Sequence, residues 1–348
     1  MIAEVRLQQY RSYLDKKFQF SPGVNIIVGP NASGKTNLLE AVEVICKGGS
    51  YRASDIDLIM HSKNWSRIDA TGSFGNRTLK LHDNTQLKKE FILDDKTYKR
   101  LRINQQIPIV LFEPNNLLML SGSPELRRNY LDGILELTKI GYKQTKNNYI
   151  KTLKQRNALL KRGKTTTSEL FPWNVRLSHL GGYIAASRVE LVTDLNKNIS
   201  GVYTALSSSK DNISLSYKTS LDVESYESSL LKKLETSLQL DLIKGFTTYG
   251  PHRDDLEILI NNHSPSVVAS RGENRTITIS LKTLETDILN KELGKKPIVL
   301  MDDVFSELDK ERSKQLSLFM TGYQSIITTT DMHSVPRLKN IKSIKISN

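Results

Sequence analysis

Apolar and polar residues alternate from Ile2 to Leu7 and again around Phe18 and Phe20, the period of strands with one face on a core. The first of these reads as an edge strand. Asn25-Ile26-Ile27-Val28 is instead an apolar run with β-branched residues, the pattern of a buried parallel strand. Leu38, Leu39, Val42 and Ile45 then recur at helical spacing, which predicts a strand, a loop and a helix in succession. Between Thr71 and Leu93, short strands are punctuated by Gly72, Gly75-Asn76 and Asp83-Asn84. From about Pro124 to Leu240 the chain is poor in Gly and Pro and reads as helix. Trp173, Leu177, Leu180, Ile184, Leu191, Leu195, Ile199 and Val202 fall mostly three or four residues apart, the seam of a long helix packed on a partner, and Leu230, Leu231, Leu234 and Leu238 predict a shorter one. Beyond Gly250 the strands return. Leu256, Ile258 and Ile260 alternate, Ile277, Leu281, Leu284 and Ile288 mark a helix, and Ile298 to Met301 and Ser325 to Thr329 read as buried strands. The expected fold class is α/β, with a sheet-bearing head (residues 1–120 and 241–348) split by a helical arm (residues 121–240), without internal repeat or low-complexity tract.

The loop between the predicted strand and helix, Gly29-Pro30-Asn31-Ala32-Ser33-Gly34-Lys35-Thr36, fits the phosphate-loop (Walker A) pattern in the context where that pattern has physical meaning. Its glycines let the backbone wrap a phosphate, and the helix start offers unpaired N–H groups. Lys35 can reach the β- and γ-phosphates and Thr36 can hold Mg²⁺. Far downstream, Pro297-Ile298-Val299-Leu300-Met301-Asp302-Asp303 is an apolar strand that delivers two carboxylates at its C-terminal end, where ligands collect in open α/β sheets. An isolated Asp-Asp there is a turn or a helix cap. Paired with Lys35 and Thr36 it reads as Walker B, with Asp302 ordering Mg²⁺ and Asp303 orienting or deprotonating the attacking water in phosphoryl transfer. Lys35 and Asp303 are thus the candidate catalytic residues, Thr36 and Asp302 the candidate metal ligands, and ATP with Mg²⁺ the expected cofactors.

Charge narrows the partners. Fifty Lys and Arg against 37 Asp and Glu leave a net +13, which favours a polyanion: DNA, RNA or an anionic membrane surface. Lys139, Lys143, Lys146, Lys151, Lys154, Arg156, Lys161, Arg162 and Lys164 form a stretch without Asp or Glu that begins the arm. It reads either as a solvated helix face or as a phosphate-binding DNA surface, sequence-independent and salt-sensitive. Neither a zinc finger nor an RNP aromatic pair is present. Cys46, the single cysteine, excludes a disulfide framework or a cysteine metal site and is expected to be a small buried residue. No apolar run approaches the ~18 residues of a membrane span, and the first residues lack a signal-peptide core. A cytoplasmic protein without a membrane partner is expected.

Ala269-Ser270-Arg271-Gly272-Glu273-Asn274-Arg275 precedes the Ile277 to Ile288 helix, one helix upstream of Walker B, and looks like the signature loop of ABC-type ATPases. In such loops a Ser hydroxyl, a Gly amide and the helix start bind the γ-phosphate held by a second subunit, so Ser270, Arg271 and Gly272 are the residues to follow. An ordinary serine cap is the alternative. Ser306-Glu307-Leu308-Asp309 matches the D-loop of that class, with Ser306 and Asp309 at the dimer interface. Walker motifs at opposite ends of the chain, separated by helices, are the layout of SMC-type DNA-repair ATPases; a simple GTPase or kinase keeps them closer.

With these motifs on the page, the chain resembles the RecF family, bacterial recombination mediators with an SMC-like head. The likeness runs through Leu7-Gln8-Gln9-Tyr10-Arg11-Ser12-Tyr13, Asn37-Leu38-Leu39-Glu40-Ala41, Ser50-Tyr51-Arg52-Ala53-Ser54-Asp55 and Phe112-Glu113-Pro114-Asn115-Asn116-Leu117. It continues through Pro124 to Asp132, Gly250-Pro251-His252-Arg253-Asp254-Asp255, Asp302 to Asp309 and Thr328-Thr329-Thr330-Asp331. The resemblance implies an ABC/SMC-like P-loop head with the helical arm inserted between Walker A and Walker B. It also implies a protein that forms a homodimer around two ATP molecules, binds double-stranded DNA and gapped single/double-strand junctions, and assists RecA together with RecR and RecO. Arg11 and Arg52 would be peripheral nucleotide contacts, and Asn37 would bind ATP where it continues the phosphate loop. His252 and Arg253 would lie near the nucleotide or its dimer interface, a local turn with an Arg–Asp pair being the alternative. Pro30 and Ser33 depart from the family's usual Glu and Gln, and Glu273-Asn274 from Gln-Gln. ABC-type ATPases commonly have Glu where Asp303 stands; Asp is one methylene shorter, so slow hydrolysis that resets a clamp is expected. Two rival readings share the ATP sandwich. One is an SMC-like tethering protein, against which the short arm argues; the other is a regulatory ABC-type ATPase acting on protein or RNA.

Overall fold

The computed structural model describes residues 1–332, 335–336 and 341–346. In chain order its first half comprises β1 (Ile2–Tyr10), β2 (Tyr13–Gln19), β3 (Val24–Val28), α1 (Lys35–Lys47), β4 (Trp65–Gly72), β5 (Gly75–Asp83), β6 (Leu87–Leu93), β7 (Lys96–Tyr98), β8 (Ile109–Phe112), α2 (Leu118–Ser121), α3 (Pro124–Thr138) and α4 (Tyr142–Leu160). There follow α5 (Thr167–Ser207), β9 (Ile213–Lys218), α6 (Tyr226–Thr236), α7 (Leu238–Lys244), β10 (Asp255–Ile260), α8 (Pro265–Val268), α9 (Arg271–Leu293), β11 (Ile298–Asp302), α10 (Lys310–Met320), β12 (Ser325–Thr329) and β13 (Lys342–Lys345).

The chain divides into two compact units, one of Met1–Asn116 with Glu285–Asn348, the other of Leu117–Leu284. The first boundary falls close to the expected residue 120, whereas the return falls at Glu285 and not near residue 241. The reason lies in β10. Its alternation correctly marks a strand, but β10 pairs antiparallel with β9, Leu256 opposite Tyr217, and packs on α3, so it stays with the helices. Alternation reports a half-buried face and carries no information about which sheet accepts the strand.

The first unit holds a six-stranded antiparallel sheet, order β2-β1-β4-β5-β6-β7, and a five-stranded parallel sheet, order β13-β3-β12-β11-β8. The first strand is not at an edge: Val5 faces Phe18 of β2 on one side and Ala70 of β4 on the other. Helix α1 packs against strands of both sheets and is buried continuously from Leu38 to Cys46. A helix between two sheets has no solvent face, so the apolar stripe visible in the sequence understates its burial. Cys46 is fully buried, and burial pushes its thiol up to about 12, which leaves it an inert packing residue. The four-residue β8, beside β11, is a strand the apolar periodicity does not reveal, being too short to show a period.

In the second unit α5 runs 41 residues from a capping box in which Thr166 Oγ1 accepts from Glu169 N. Leu177, Ile184, Leu191, Leu195 and Ile199 are buried along it as the periodicity predicts, while Trp173, Leu180 and Val202 are half-buried. Strand β9 interrupts the stretch read as helix, and the Leu230 to Leu238 helix breaks at Ser237 into α6 and α7.

Charged residues lie inside this unit. Arg156, read above as a DNA contact, is fully buried: it donates to Asp241 Oδ2 at 2.7 Å, Asn174 Oδ1 at 2.8 Å and Thr247 Oγ1 at 2.8 Å. It therefore ties α4, α5 and α7 together and presents nothing to DNA. A run without acids in sequence does not exclude an acid from a distant helix. Arg188 likewise holds Asp132 at 2.9 and 3.1 Å and donates to Pro251 O at 2.6 Å. His252 is enclosed: Tyr149 OH donates to Nδ1 at 2.7 Å, and Nε2–H donates to Thr247 O at 3.1 Å. Gly250 makes this possible, since its φ is +128° and a Cβ there would stand 2.6 Å from Tyr149 OH. Arg253 stacks its guanidinium 4.7 Å from the Phe246 ring centre, Asp254 accepts from Tyr217 and Tyr226, and Asp255 pairs with Arg127 at 2.7 Å. Pro251, His252, Asp254 and Asp255 of the Gly-Pro-His-Arg-Asp-Asp motif thus bind within the second unit, while Arg253 stays exposed beside Phe246.

Arg156→Met would strand Asp241 as a buried, unpaired charge and should lower stability to urea by about 3–5 kcal/mol, whereas Lys151→Ala, on the exposed face of α4, should change it by less than about 0.5 kcal/mol. Similar small effects for both would refute the network. Burial pushes the His252 imidazole down to about 4, against 6.5 in the unfolded chain. Because the unfolded state takes the proton first, this contribution to stability is complete above pH 6.5 and is lost as pH falls toward 4. His252→Gln should flatten that limb of the urea midpoint against pH; an unaltered slope would contradict the assignment.

Candidate functional site

Strand register builds the site. In the parallel sheet β12 lies between β3 and β11, with Thr328 opposite both Ile27 and Asp302. The loop after β3 and the carboxylate ending β11 therefore emerge side by side at the carboxyl ends of the strands. Asp302 accepts from Thr36 Oγ1, 3.0 Å from each carboxylate oxygen, and from Thr328 Oγ1 at 2.7 Å. Thr36 and Asp302 are 266 residues apart in the chain.

The loop itself is closed by its lysine: Lys35 Nζ donates to Gly29 O and Pro30 O, both at 2.8 Å. Gly34 has φ +94°, and a Cβ there would lie 2.8 Å from Ser12 Oγ and 2.9 Å from Tyr13 OH, which donates to Gly34 O at 2.9 Å. Only glycine fits so close to that hydroxyl in this conformation. A cavity of about 340 Å³ opens beside it, walled by Asn31, Ala32, Gly34, Lys35, Thr36 and Asn37 from the loop and helix start, Asp302 and Asp303 from the end of β11, and Arg52, Pro114 and Thr330. Gly29, Pro30 and Ser33 of the loop do not line the cavity.

Asp303 adopts a left-handed backbone with φ +51°, and its N–H donates to Thr328 O at 3.2 Å and Oγ1 at 3.1 Å. Held strain of this kind in a non-glycine residue costs on the order of 1–3 kcal/mol and persists only where the surroundings over-determine it. Ser306 Oγ donates to Asp303 O at 2.7 Å, and Asp309 caps α10, accepting from Arg312 N at 2.9 Å.

Glu40, one turn into α1, is fully buried and gathers the arginines around it. Arg11 donates to both its oxygens at 2.9 Å, Arg52 to Oε2 at 3.0 Å and Ser50 to Oε1 at 2.6 Å. Burial alone would push the carboxyl up, but these three donors outweigh it and hold it at about 2. Arg52 also donates to Asn37 Oδ1 at 2.7 Å and reaches the cavity wall, while Arg11 serves the network behind it and does not line the cavity.

Ser270, Arg271 and Gly272 belong to the second unit, at the start of α9. Ser270 is a helix cap: its Oγ accepts from Glu273 N at 3.2 Å, and Glu273 Oε2 accepts from Ser270 N at 2.6 Å. Glu273 thereby closes a capping box. Of the basic stretch, Lys139 pairs with Glu190 at 2.6 Å and Lys146 with Glu136 at 2.5 Å, Lys143 lies 3.4 Å from Glu136, and Lys151 and Lys154 are exposed on α4.

The first unit's residues fit a magnesium–triphosphate group. A helix start with free N–H groups, a lysine, and an oxygen pair from Thr36 and Asp302 suit phosphate and a hard cation. Ser33 Oγ is buried in the loop without a hydrogen-bond partner, behind the cavity wall. Sequence reasoning missed Tyr13, Thr328 and the role of Glu40. For Glu40 a signal existed, a carboxylate between Leu39 and Ala41 in a helix whose only other charge between Lys35 and Lys47 is Glu43; for Tyr13 and Thr328 the positions depend on pairing that sequence does not display.

The RecF/RecN/SMC N-terminal domain family matches residues 1–347. DNA replication and repair protein RecF of Heliobacterium modesticaldum is 33% identical over 346 residues, 96% of this chain and 93% of the relative. Its counterpart in Bacillus cytotoxicus is 34% identical over 361 residues, 99% and 96% of the two chains. A solved structure of the recombination mediator protein RecF-ATPrS in the RecFOR pathway superimposes with a TM-score of 0.87 at 30% identity, over 100% of this chain and 96% of that one. The Smc head bound to the C-winged helix domain of ScpA shares the fold at a TM-score of 0.56 and 16% identity. Among the described residues no helix is long and apolar enough to cross a membrane. The loop, the split sheet and the near full-length likeness agree, and the chain belongs to the RecF family of SMC-like P-loop proteins.

Proposed function

We propose that this protein is an ATP-dependent DNA-binding recombination mediator that dimerises on ATP, binds gapped duplex DNA and assists RecA loading together with RecR and RecO. The observation that carries the reading is the meeting of Thr36 with Asp302 at 3.0 Å beside a closed phosphate loop, which supports a Mg-ATP site. Relatives named for DNA replication and repair, and the RecF-ATPrS structure, support the pathway.

Bound Mg-ATP would supply a cleavable phosphoanhydride and a negative charge shared between two subunits. Lys35, the loop backbone from Gly29 to Gly34 and the N–H groups that open α1 would hold its phosphates, with Asn37 and Arg52 at the periphery. Thr36 and Asp302 would hold the metal. Asp303 would orient a water and accept its proton, and its short side chain would hold that water loosely enough to make turnover slow. Ser270, Arg271 and Gly272 of a second copy would close the site, with Ser306 and Asp309 along the same interface. Lys151 and Lys154, exposed on α4, would face DNA phosphates; Lys139, Lys143 and Lys146, paired with Glu190 and Glu136, would contribute less.

Sedimentation with Asp303→Asn to slow hydrolysis should give a dimer with Mg-ATP and a monomer without it, and Ser270→Arg or Lys35→Ala should stay monomeric. A wild-type protein that binds ATP yet remains monomeric would defeat the clamp. Lys151→Glu with Lys154→Glu should weaken DNA binding and lower the salt slope by about two, near one per lysine; unchanged affinity at low salt would remove α4 from the footprint.

A further inference from the structure

A second cavity, of about 660 Å³, lies at the opposite end of the parallel sheet, where the chain enters β3, β8, β11 and β12. The proposed ATP chemistry makes no use of it. Three cationic side chains line it, Arg77, Lys295 and Lys296, and no Asp or Glu does. Much of the remaining wall is apolar, including Phe74, Ile107 and Tyr323.

Arg77 is the unusual member. It projects from β5, is only 8% exposed, and has no carboxylate at ion-pair distance among the described residues. Nη2 donates to Gln105 O at 2.6 Å, while Nε and Nη1 have no hydrogen-bond partner. The Phe74 ring centre lies 5.0 Å from its guanidinium carbon. A buried donor left unmade carries a desolvation penalty, and a charged one more. Burial accordingly pushes the guanidinium down from its ordinary value, with the more distant Cys46 and Asp94 opposing. Lys296 donates to Gly322 O at 2.9 Å and sits 6.0 Å from the Tyr323 ring centre, so an aromatic face lies beside the outer cations as well.

We propose that this cavity is a docking site for an acidic peptide segment of a partner protein, one that places a carboxylate on Arg77 and an adjacent apolar side chain against Phe74 and Ile107. Charge complementarity selects the acid, and the apolar wall selects a peptide over nucleic acid. A DNA strand is held by exposed cations spaced along its backbone, whereas here the principal cation is sunk among apolar groups. Lys295 and Lys296 at the rim would steer the acidic segment inward.

Fluorescence anisotropy on the full chain tests this with a fluorescein-labelled hexapeptide of aspartates closed by leucine and phenylalanine. The same peptide with asparagine for aspartate serves as control, and an unlabelled single-stranded oligonucleotide as competitor. We expect binding of the acidic peptide alone, weakened by salt, reduced about tenfold in Arg77→Gln and several-fold in the Lys295→Ser, Lys296→Ser double variant. Binding of a fluorescent ATP analogue should be unchanged in both variants, which reports that the unit is folded. If Arg77→Gln does not fold, the double variant and Phe74→Ala decide. Peptide affinity indifferent to all of these substitutions would overturn the proposal, as would an oligonucleotide that displaces the peptide and loses binding in the same variants.

Discussion

The first unit's site depends on one carboxylate. Asp302 ends β11, takes the hydroxyl of Thr328 from the neighbouring β12 and that of Thr36 from the helix after β3. Three strands and the phosphate loop are thereby brought to one point. Because Thr328 and Asp302 are in register, a slip of one residue in that pairing would turn the carboxylate to the other face of the sheet. Parallel strands buried on both faces specify their register through packing, and that packing makes the meeting of the two distant segments reproducible.

Behind that point stands a rigid support. Helix α1 lies between two sheets, so its orientation is set by apolar contacts on every side, and Glu40 fixes Arg11 and Arg52 from within it. The left-handed Asp303 is tolerable because the backbone on either side is bonded to β12 and to Ser306. Local strain at the site is thus carried by ordinary hydrogen bonds in the surrounding sheet.

The helical unit solves a different problem. Its long helices enclose Arg156, Arg188 and His252, each with its polar atoms matched by partners from several elements. Buried ion pairs of this kind contribute little net stability over apolar packing, but breaking one is costly. A slip in helix pairing would leave one of these charges unpaired in the interior. The protein's positive charge is correspondingly less available than its sequence suggests: Arg156 is consumed in the core and Lys139 and Lys146 by acids from neighbouring helices.

The sequence by itself determined what depends on local order. The glycine loop between strand and helix, the carboxylates ending an apolar strand, the long helical seam and the family likeness all depend on residues close together in the chain. So did the outline of two units, since a change of period from two to nearly four marks a change of architecture. Tertiary structure alone decided the rest. It placed β1 inside its sheet and β10 beside β9, because alternation reveals a buried face and not a neighbour. It withdrew Arg156 from the surface, because its acid lies 85 residues away. It also placed Thr328 and Tyr13 in the site, because the hydrogen bonds that locate a hydroxyl come from chain segments that meet only when the sheets assemble.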